Sequence, residues 1–247
     1  MKKNLLVSAL LLILAFGTAK KAEGQAAIIA FFFGDKVASE NFNISLEFGT
    51  TQPWYNEVED SRRSRVGINF GIGTNIKLSE NWFLCPNAYF LGARSFRVNS
   101  FSPTTGNMGI NDAFANSEME IILKYIDVPV FLHYQTNNKK YRFGIAPQVS
   151  FFSSAEATFT RDEGKFTQDV KDEVNGLDYG LIGNVTYVLG KAHKGRGILI
   201  HLRYYYGFED VFKNRYIAGD NNTQFVSLHL SLPFITDELA AKNLAQP

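Results

Sequence analysis

Hydrophobic and polar residues alternate along residues 65–78 (RVGINFGIGTNIKL). One face of this segment is apolar and comprises Val66, Ile68, Phe70, Ile72, Ile76 and Leu78. Glycine, asparagine, Arg65 and Lys77 lie on the other face. A period of two is typical of a β-strand with one apolar face. The segment is long enough to cross a bilayer at a tilt, since a spanning strand needs about 9–11 residues.

Seven further segments repeat this alternation, at residues 42–48, 82 to about 90, 125–134, 141–151, 177–189, 196–208 and 224–234. The segment that begins at Trp82 is the least regular, because Phe83 and Tyr89 fall on its polar face. Eight strands form the smallest closed barrel of the outer-membrane kind. We therefore predict an all-β fold, an eight-stranded antiparallel transmembrane β-barrel of the OmpA/OmpX-like type, over residues 42–234.

The connections between these segments alternate in length. Short ones occupy residues 79–81, 135–140 and 190–195, and long polar ones occupy residues 49–64, about 92–117, 153–176 and 209–223. Outer-membrane barrels have short periplasmic turns and longer extracellular loops. With both termini in the periplasm, every short connection falls on the periplasmic side, as this architecture requires.

The alternative is a soluble barrel whose apolar face points inward around a ligand. The positions of the aromatic residues argue against it. One predicted rim carries Trp82, Tyr134, Tyr141, Tyr187 and Phe234, and the other carries Phe48, Phe151, Tyr179, Tyr206 and Phe208. Two aromatic girdles suit two lipid–water interfaces, which favours apolar side chains facing lipid.

The N-terminus has the features of a secretory signal. Lys2 and Lys3 precede a short apolar core, and small residues lead to a cleavage site after Gly24. We predict a signal peptide at 1–24, with an uncleaved anchor as the alternative, followed by a lead segment at 25–41 and a periplasmic tail at 235–247. After the signal, no apolar run reaches 18 residues, so we expect no transmembrane helix and export to the outer membrane.

Composition limits the classes of function. The chain has 247 residues and a formal net charge of +1, which gives no reason to expect nucleic acid as a partner. Its one cysteine, Cys85, excludes an intramolecular disulfide. The expected partner is outer-membrane lipid, with other envelope or secretion proteins as further candidates.

Charged residues on the predicted inner faces are the candidate site. Glu47, Asp127, Asp178, Arg65 and Arg203 lie toward the outer end, Lys77 and Arg142 toward the periplasmic end, and His201 and His229 also point inward. An eight-stranded lumen is just wide enough to be filled by side chains, and charges inside it must pair or hold water. We predict a lumenal polar network that plugs the barrel, with a gated pore as the alternative.

Catalysis has weaker support. The predicted inner face carries His133, His201 and His229 together with serines and Asp127. Their spacing, however, does not match a catalytic triad of nucleophile, general base and orienting residue. No His or Cys spacing matches a metal motif. We predict no catalytic, cofactor-binding or metal-binding residues and hence no enzyme, and a barrel-borne hydrolase stays the third hypothesis.

Several motifs also resemble a known family. YIDVPVFLHY at 125–134, LDYGLIG at 177–183, RYYYGFED at 203–210 and GDKVASE at 34–40 are similar to segments of the PorT-like outer-membrane barrels of Bacteroidetes, an outer membrane protein beta-barrel domain family. The resemblance covers about residues 34–234. It implies an eight-stranded barrel in a Gram-negative outer membrane. One member takes part in type IX secretion, but most have no assigned activity. Our first hypothesis is a structural or interaction barrel that supports secretion or surface contact. The polar tail after Phe234 departs from the family pattern.

Overall fold

The computed structural model describes residue 39 and residues 41–58, 64–190 and 197–234 of the chain. The predicted signal peptide (1–24) and C-terminal tail (235–247) lie outside the described residues, as does the lead segment apart from residues 39 and 41.

The described residues form nine antiparallel strands. They are β1 (Phe42–Tyr55), β2 (Gly67–Lys77), β3 (Trp82–Phe101), β4 (Ser117–Gln135), β5 (Tyr141–Arg161), β6 (Gly164–Asp169), β7 (Leu177–Leu189), β8 (Ile198–Asp210) and β9 (Asn222–Pro233). Eight of them close a ring through the β4–β5 and β1–β9 pairings, while β6 pairs with the extension of β5. The predicted eight-stranded antiparallel barrel is confirmed.

The barrel has two unlike ends. At one, here the turn end, the short connections 78–81 and 136–140 join strands, β7 ends and β8 begins, and β1 begins and β9 ends. At the other, here the loop end, lie the long connections. These include helix α1 (Met108–Ala113), a 3-10 helix (Lys171–Glu173) and the β5–β6 hairpin.

Several strands continue further at the loop end than the alternation predicted. β1 runs to Tyr55, β3 to Phe101 and β5 to Arg161, and β4 already begins at Ser117. The predicted loops at 49–64, 92–117 and 153–176 are therefore too long. The reason lies in the polarity of the two faces, which reverses within these strands.

Strand β4 shows the reversal. Near the loop end, Met119, Ile121 and Leu123 are fully buried inside the barrel while Glu118 and Lys124 are exposed outside. Toward the turn end, Asp127, His133 and Gln135 lie at inward positions together with Phe131, and the outward positions become apolar. Residues 126–134 would rise about 20–23 Å at about 3.3 Å per residue and a tilt of about 40°. That height suits the apolar band of an outer-membrane barrel, about 25 Å tall.

Two β-bulges lie beside this reversal. The register of β3 against β4 shifts between Tyr89 and Gly92, where Leu91 has a φ of 61°. The register of β5 against β4 shifts next to Ser154. Because a bulge adds one residue to one strand, it exchanges the faces of all later residues in that strand. Beyond the first bulge, Arg94 therefore points into the barrel.

The outer wall presents exposed apolar side chains from neighbouring strands, among them Val130, Leu132, Ile145, Leu181, Leu202 and Leu228. At the turn end, Trp82 packs edge-on against Tyr134, and Tyr141 packs against Tyr187. At the loop end, Phe208 contacts Tyr179 and Tyr206. Phe48 is not at a rim as expected, because β1 continues for seven residues beyond it.

Among the described residues, no helix combines the length and apolar composition that crossing a membrane would require.

The loops form a compact structure with its own core. This loop-end cluster comprises Tyr55, Phe96, Met119, Ile121, Leu123, Tyr125, Ala155, Ala157, Phe159, Val170, Val174, Val211 and Phe212. Val174 bridges to Phe212, and the Asn175 amide donates to the Val211 carbonyl at 2.8 Å. The cluster covers the loop end of the lumen.

Candidate functional site

The centre of the barrel interior is organised by Arg94. Its Nη2 donates to Asp127 Oδ1 at 2.5 Å, and its Nη1 donates to Asp178 Oδ2 at 2.6 Å. Nη2 also donates to Ser150 Oγ at 2.9 Å. The Arg94 residue is only 1% exposed. One guanidinium thus joins strands β3, β4, β5 and β7 across the lumen.

Aromatic rings enclose this ion cluster. The Arg94 guanidinium lies 4.3 Å from the centroid of Tyr125 and 5.1 Å from that of Phe225. The hydroxyl of Tyr205 donates to Asp178 Oδ1 at 2.9 Å, and its ring stacks on Phe225. Rings on both sides exclude water, which strengthens the electrostatic attraction between guanidinium and carboxylates.

A second ion cluster lies one layer nearer the turn end. Arg203 Nη2 donates to Glu47 Oε2 at 2.9 Å, and Arg203 Nη1 donates to the Tyr89 hydroxyl. That hydroxyl in turn donates to Glu47 Oε2. Phe131 lies against the guanidinium at 5.1 Å. All four side chains are buried.

Histidines occupy the next layer. His133 Nδ1 lies 3.3 Å from Cys85 Sγ, and its Nε2 lies 2.6 Å from the side-chain amide of Asn184. The same amide contacts His201 Nδ1, which also lies 2.8 Å from Thr186 Oγ1. Cys85, His133 and Asn184 have the connectivity of a cysteine–histidine–asparagine triad. The Cys85 residue is only 2% exposed, so a substrate would have no access to its sulfur.

Inward-facing glycines make room for these side chains. A Cβ at Gly73 would lie 2.4 Å from Glu47 Oε1, and one at Gly144 would lie 2.0 Å from the His133 ring. A Cβ at Gly71 would lie 2.3 Å from the Tyr89 ring. Each large polar side chain therefore fills the space that a neighbouring glycine leaves. The lumen is packed with side chains through these layers.

Most of the predicted residues lie in these layers. Glu47 and Arg203 contact each other, Asp127 and Asp178 share Arg94, and His201 and His229 are buried. Arg142 lies closer to the turn end, where its Nη1 donates to Asn75 Oδ1 at 2.9 Å and its guanidinium covers Phe83.

Two predicted residues lie elsewhere. The Arg65 side chain is 64% exposed and pairs with Glu120 Oε1 at 2.9 Å, because β2 begins only at Gly67 and polar side chains line the outer surface there. Lys77 is the last residue of β2, lies opposite Phe83 on the inward register and is exposed at the turn end, outside the buried layers. The inward placement of Arg65 is corrected.

Arg94, the central cation, is not among the residues predicted from the sequence. It lies in a segment predicted as a loop, and the bulge before it reverses its face. One signal was available, because Asp127 and Asp178 are both predicted to face a narrow lumen and require a shared cation. Within the described part of the chain, no group of three or more His, Cys, Asp or Glu residues is arranged to hold a metal ion.

Comparisons with known proteins agree with this architecture. The model of the family described as "Outer membrane protein beta-barrel domain" matches residues 37–213. No curated protein matches the chain in sequence.

Solved structures of outer-membrane barrels are similar in outline. The attachment invasion locus protein Ail of Yersinia pestis is 10% identical, with a TM-score of 0.42, over 80% of this chain and 100% of that one. Neisserial surface protein A is 9% identical, with a TM-score of 0.41, over 78% and 97%. OprG of Pseudomonas aeruginosa is 13% identical, with a TM-score of 0.35, over 78% and 93%.

Proposed function

This chain belongs to the outer membrane protein beta-barrel domain family, and we propose that it is a closed outer-membrane anchor that carries an ordered binding platform. The platform consists of the structured loops at the loop end, including the β5–β6 hairpin and residues 211–221. Membership of the family indicates the outer membrane as its location. In our proposal the loop end faces the outside of the cell. The platform contacts other envelope or secretion proteins there, and the lumen does not conduct solutes.

The packed lumen is the observation that carries the proposal. The Arg94 cluster crosses the barrel with its charges paired and its side chains buried. The loop-end cluster closes the same lumen above it with apolar side chains. A hydrated ion would have to displace both layers. Separating buried ion pairs leaves uncompensated charges at a cost of several kcal/mol, which supports a closed barrel rather than the alternative of a gated pore.

The order of the loops supports the platform. The Asn221 side chain is fully buried, accepts from the Phe212 amide at 2.7 Å and donates to the carbonyls of Ile217 and Gly219. Arg215 forms two hydrogen bonds with Glu173, which raise the pKa of its guanidinium and keep it charged. Ordered loops lose little conformational entropy on binding, so a partner would meet a preorganised surface.

The route of export, the narrower family group and the cellular role are part of the same proposal. Export through the signal peptide at 1–24 and membership of the PorT-like group of Bacteroidetes rest on the sequence motifs at 1–24, 125–134 and 203–210. A role in secretion or surface contact follows from that resemblance. The absence of enzymatic activity stays a prediction.

Planar-bilayer recordings test whether the barrel is closed. We expect the purified protein to leave conductance at the level of the protein-free bilayer. A general porin reconstituted in the same way serves as the positive control, because its water-filled channel shows that an open barrel is detected. Steady openings of the wild-type protein would refute the closed barrel and favour the pore.

Cross-linking on intact cells tests the platform. We expect a partner to be cross-linked to the wild-type chain and lost when the hairpin tip at 158–167 is replaced by a two-residue Asn-Gly turn. The matched control exchanges the turn-end connection 136–140 for another short turn, and it should retain the partner. A cross-link that survives the hairpin change and disappears with the control would place the contact at the wrong end and refute the proposal.

A further inference from the structure

One wall of the lumen carries polar atoms that the protein itself leaves without a hydrogen bond. Away from the loop end, and within the described residues, strands β2, β7, β8 and β9 contribute seven such buried atoms to the interior: Asn69 Oδ1, Asn184 Oδ1, His201 Nε2, Arg203 Nε, Ser227 Oγ, His229 Nδ1 and Ser231 Oγ. None of these residues is more than 5% exposed. Native proteins leave few buried polar groups unsatisfied, and ordered water satisfies many of those that remain.

The strand register gathers these atoms into three groups. In the first, Arg203 on β8 lies directly opposite Asn184 on β7 and Ser227 on β9. Arg203 Nε can only donate, Asn184 Oδ1 can only accept, and the Ser227 hydroxyl can do both. A single water molecule among them would satisfy all three, since water donates twice and accepts twice.

The second group surrounds Glu47. Its Oε1 lies 4.0 Å from His201 Nε2, which is beyond a direct hydrogen bond. Ser231, whose hydroxyl has no partner among the described residues, lies directly opposite Glu47 in the β1–β9 pair. These three polar atoms can share one bridging water, which would connect the imidazole to the carboxylate of the Arg203 cluster.

The third group lies at Gly49. This glycine is opposite Asn69 on one side and His229 on the other. Asn69 Oδ1 and His229 Nδ1 both lie 2.6 Å from the position that a Cβ of Gly49 would take. The two side chains fill the space beside the glycine, and the two atoms therefore lie close enough together for one molecule to bridge them.

We propose that this wall binds ordered water, one site at each group, so that the turn-end half of the lumen is a hydrated but closed chamber. The opposite wall is lined by Tyr89, Phe131 and Cys85, and the two such atoms on β3 and β4 that point inward, Arg94 Nε and Tyr125 Oη, belong to the Arg94 layer and not to the turn-end half. The Arg94 layer and the loop-end cluster separate the chamber from the loop end. Water and protons in it exchange only with the turn side.

Solid-state NMR of the protein in lipid bilayers, with 15N-labelled histidine, tests this proposal. We expect magnetisation to pass quickly from water to the ring nitrogens of His201 and His229. His133 is the internal control, because Cys85 and Asn184 already contact both of its ring nitrogens. Transfer to His201 and His229 that is no faster than transfer to His133 would overturn the proposal.

Alanine substitutions give a second, independent measurement. If the hydroxyls are bound to water, Ser227→Ala and Ser231→Ala each remove hydrogen bonds and lower the urea midpoint of unfolding. Ser150→Ala should act in the same direction, because Ser150 Oγ accepts from Arg94 and Gln148. If the hydroxyls are dry, deleting them removes an unsatisfied group. An unchanged or raised midpoint for both variants would therefore refute the bound water. Neither result depends on whether the barrel binds a partner.

Discussion

Arg94 is the residue whose loss should damage the barrel most, and Arg94→Met tests why. The substitution keeps most of the side-chain volume and removes only the guanidinium. It leaves Asp127 and Asp178, which are 5% and 1% exposed, without their common cation. Two carboxylates then share a site that has little access to water.

The size of the effect follows from burial. Breaking a buried ion pair by removing one partner costs about 3–5 kcal/mol, mainly because the remaining charge is uncompensated. Here one cation serves two anions and also contacts the Tyr125 ring. We therefore expect Arg94→Met to lower the free energy of unfolding by at least about 3–5 kcal/mol.

Urea unfolding in lipid vesicles, followed by the fluorescence of Trp54 and Trp82, measures this change. Arg97→Met is the matched control, since Arg97 is on the same strand but points outward. Its side chain is 35% exposed and lies 3.6 Å from Glu120 and 3.9 Å from Glu118. Such surface pairs contribute about 0–1 kcal/mol, so the control should unfold almost as the wild type does.

A triple variant separates charge from packing. Adding Asp127→Asn and Asp178→Asn to Arg94→Met removes the stranded charges and should recover most of the lost stability. If Arg94→Met unfolds no more easily than Arg97→Met, the ion cluster does not hold the barrel together. If the triple variant recovers nothing, packing rather than charge explains the loss.

The remaining predictions concern packing, access, membrane depth and the loops. Gly144→Ala should lower stability by about 1–3 kcal/mol because its Cβ would overlap His133, whereas Gly183→Ala on the adjacent strand meets nothing within 4 Å, and equal effects in urea unfolding would contradict the packed lumen. Cys85 should not react with Ellman's reagent in the folded protein and should react fully in urea, so rapid labelling before unfolding would show an open lumen. In the single-tryptophan variant Trp54→Phe, which retains Trp82 of the turn-end girdle, lipids brominated near the headgroup should quench fluorescence more than lipids brominated at the chain end, and the opposite order would show that this girdle is misplaced. Asn221→Ala should expose residues 211–221 to protease while the barrel stays folded, since it removes the bonds to Phe212, Ile217 and Gly219, and Asn214→Ala, at an exposed position, should have no such effect.

The membrane-spanning half of the fold could be predicted from the sequence because lipid imposes a simple rule. Outward side chains between the girdles are mostly apolar, so the sequence predicts the bounds of β7 as the structure has them and those of β8 to within two residues. The loop-end half follows the opposite rule, with Met119 and Ile121 inside and Glu118 outside. An alternation with apolar residues outside and polar residues inside therefore identifies the membrane-spanning half. The loop-end half has the reverse alternation, and the same pattern assigns it to loops.

The residues of the candidate site also differ in whether strand parity predicts their direction. Glu47 and Arg203 lie in stretches of β1 and β8 that pair without a register shift, so parity alone predicts their inward positions. Arg94 follows the β3 bulge, and its face depends on one extra residue that no alternation pattern reveals. The predicted inward position of Arg65 is wrong for a different reason. Arg65 precedes the first residue of β2, and there strand parity no longer determines which way a side chain points.

The bulges beside β4 connect these observations. A strand that leaves lipid must exchange an apolar outer face for a polar one, and the residues inside change from a polar network to an apolar core at the same level. Arg94 lies at that level, between the carboxylates of the lumen and the rings of the loop-end cluster, and its planar guanidinium suits both. Replacing such a cluster by hydrophobic residues can leave stability unchanged, so its larger contribution is to fix which residues of β3 face inward. We therefore expect Arg94→Leu combined with Asp127→Leu and Asp178→Leu to fold but to lose the unique β3–β4 register, which hydrogen exchange at residues 92–98 would measure. A protected and unshifted β3 in that variant would show that the bulge alone, and not the ion cluster, sets the register.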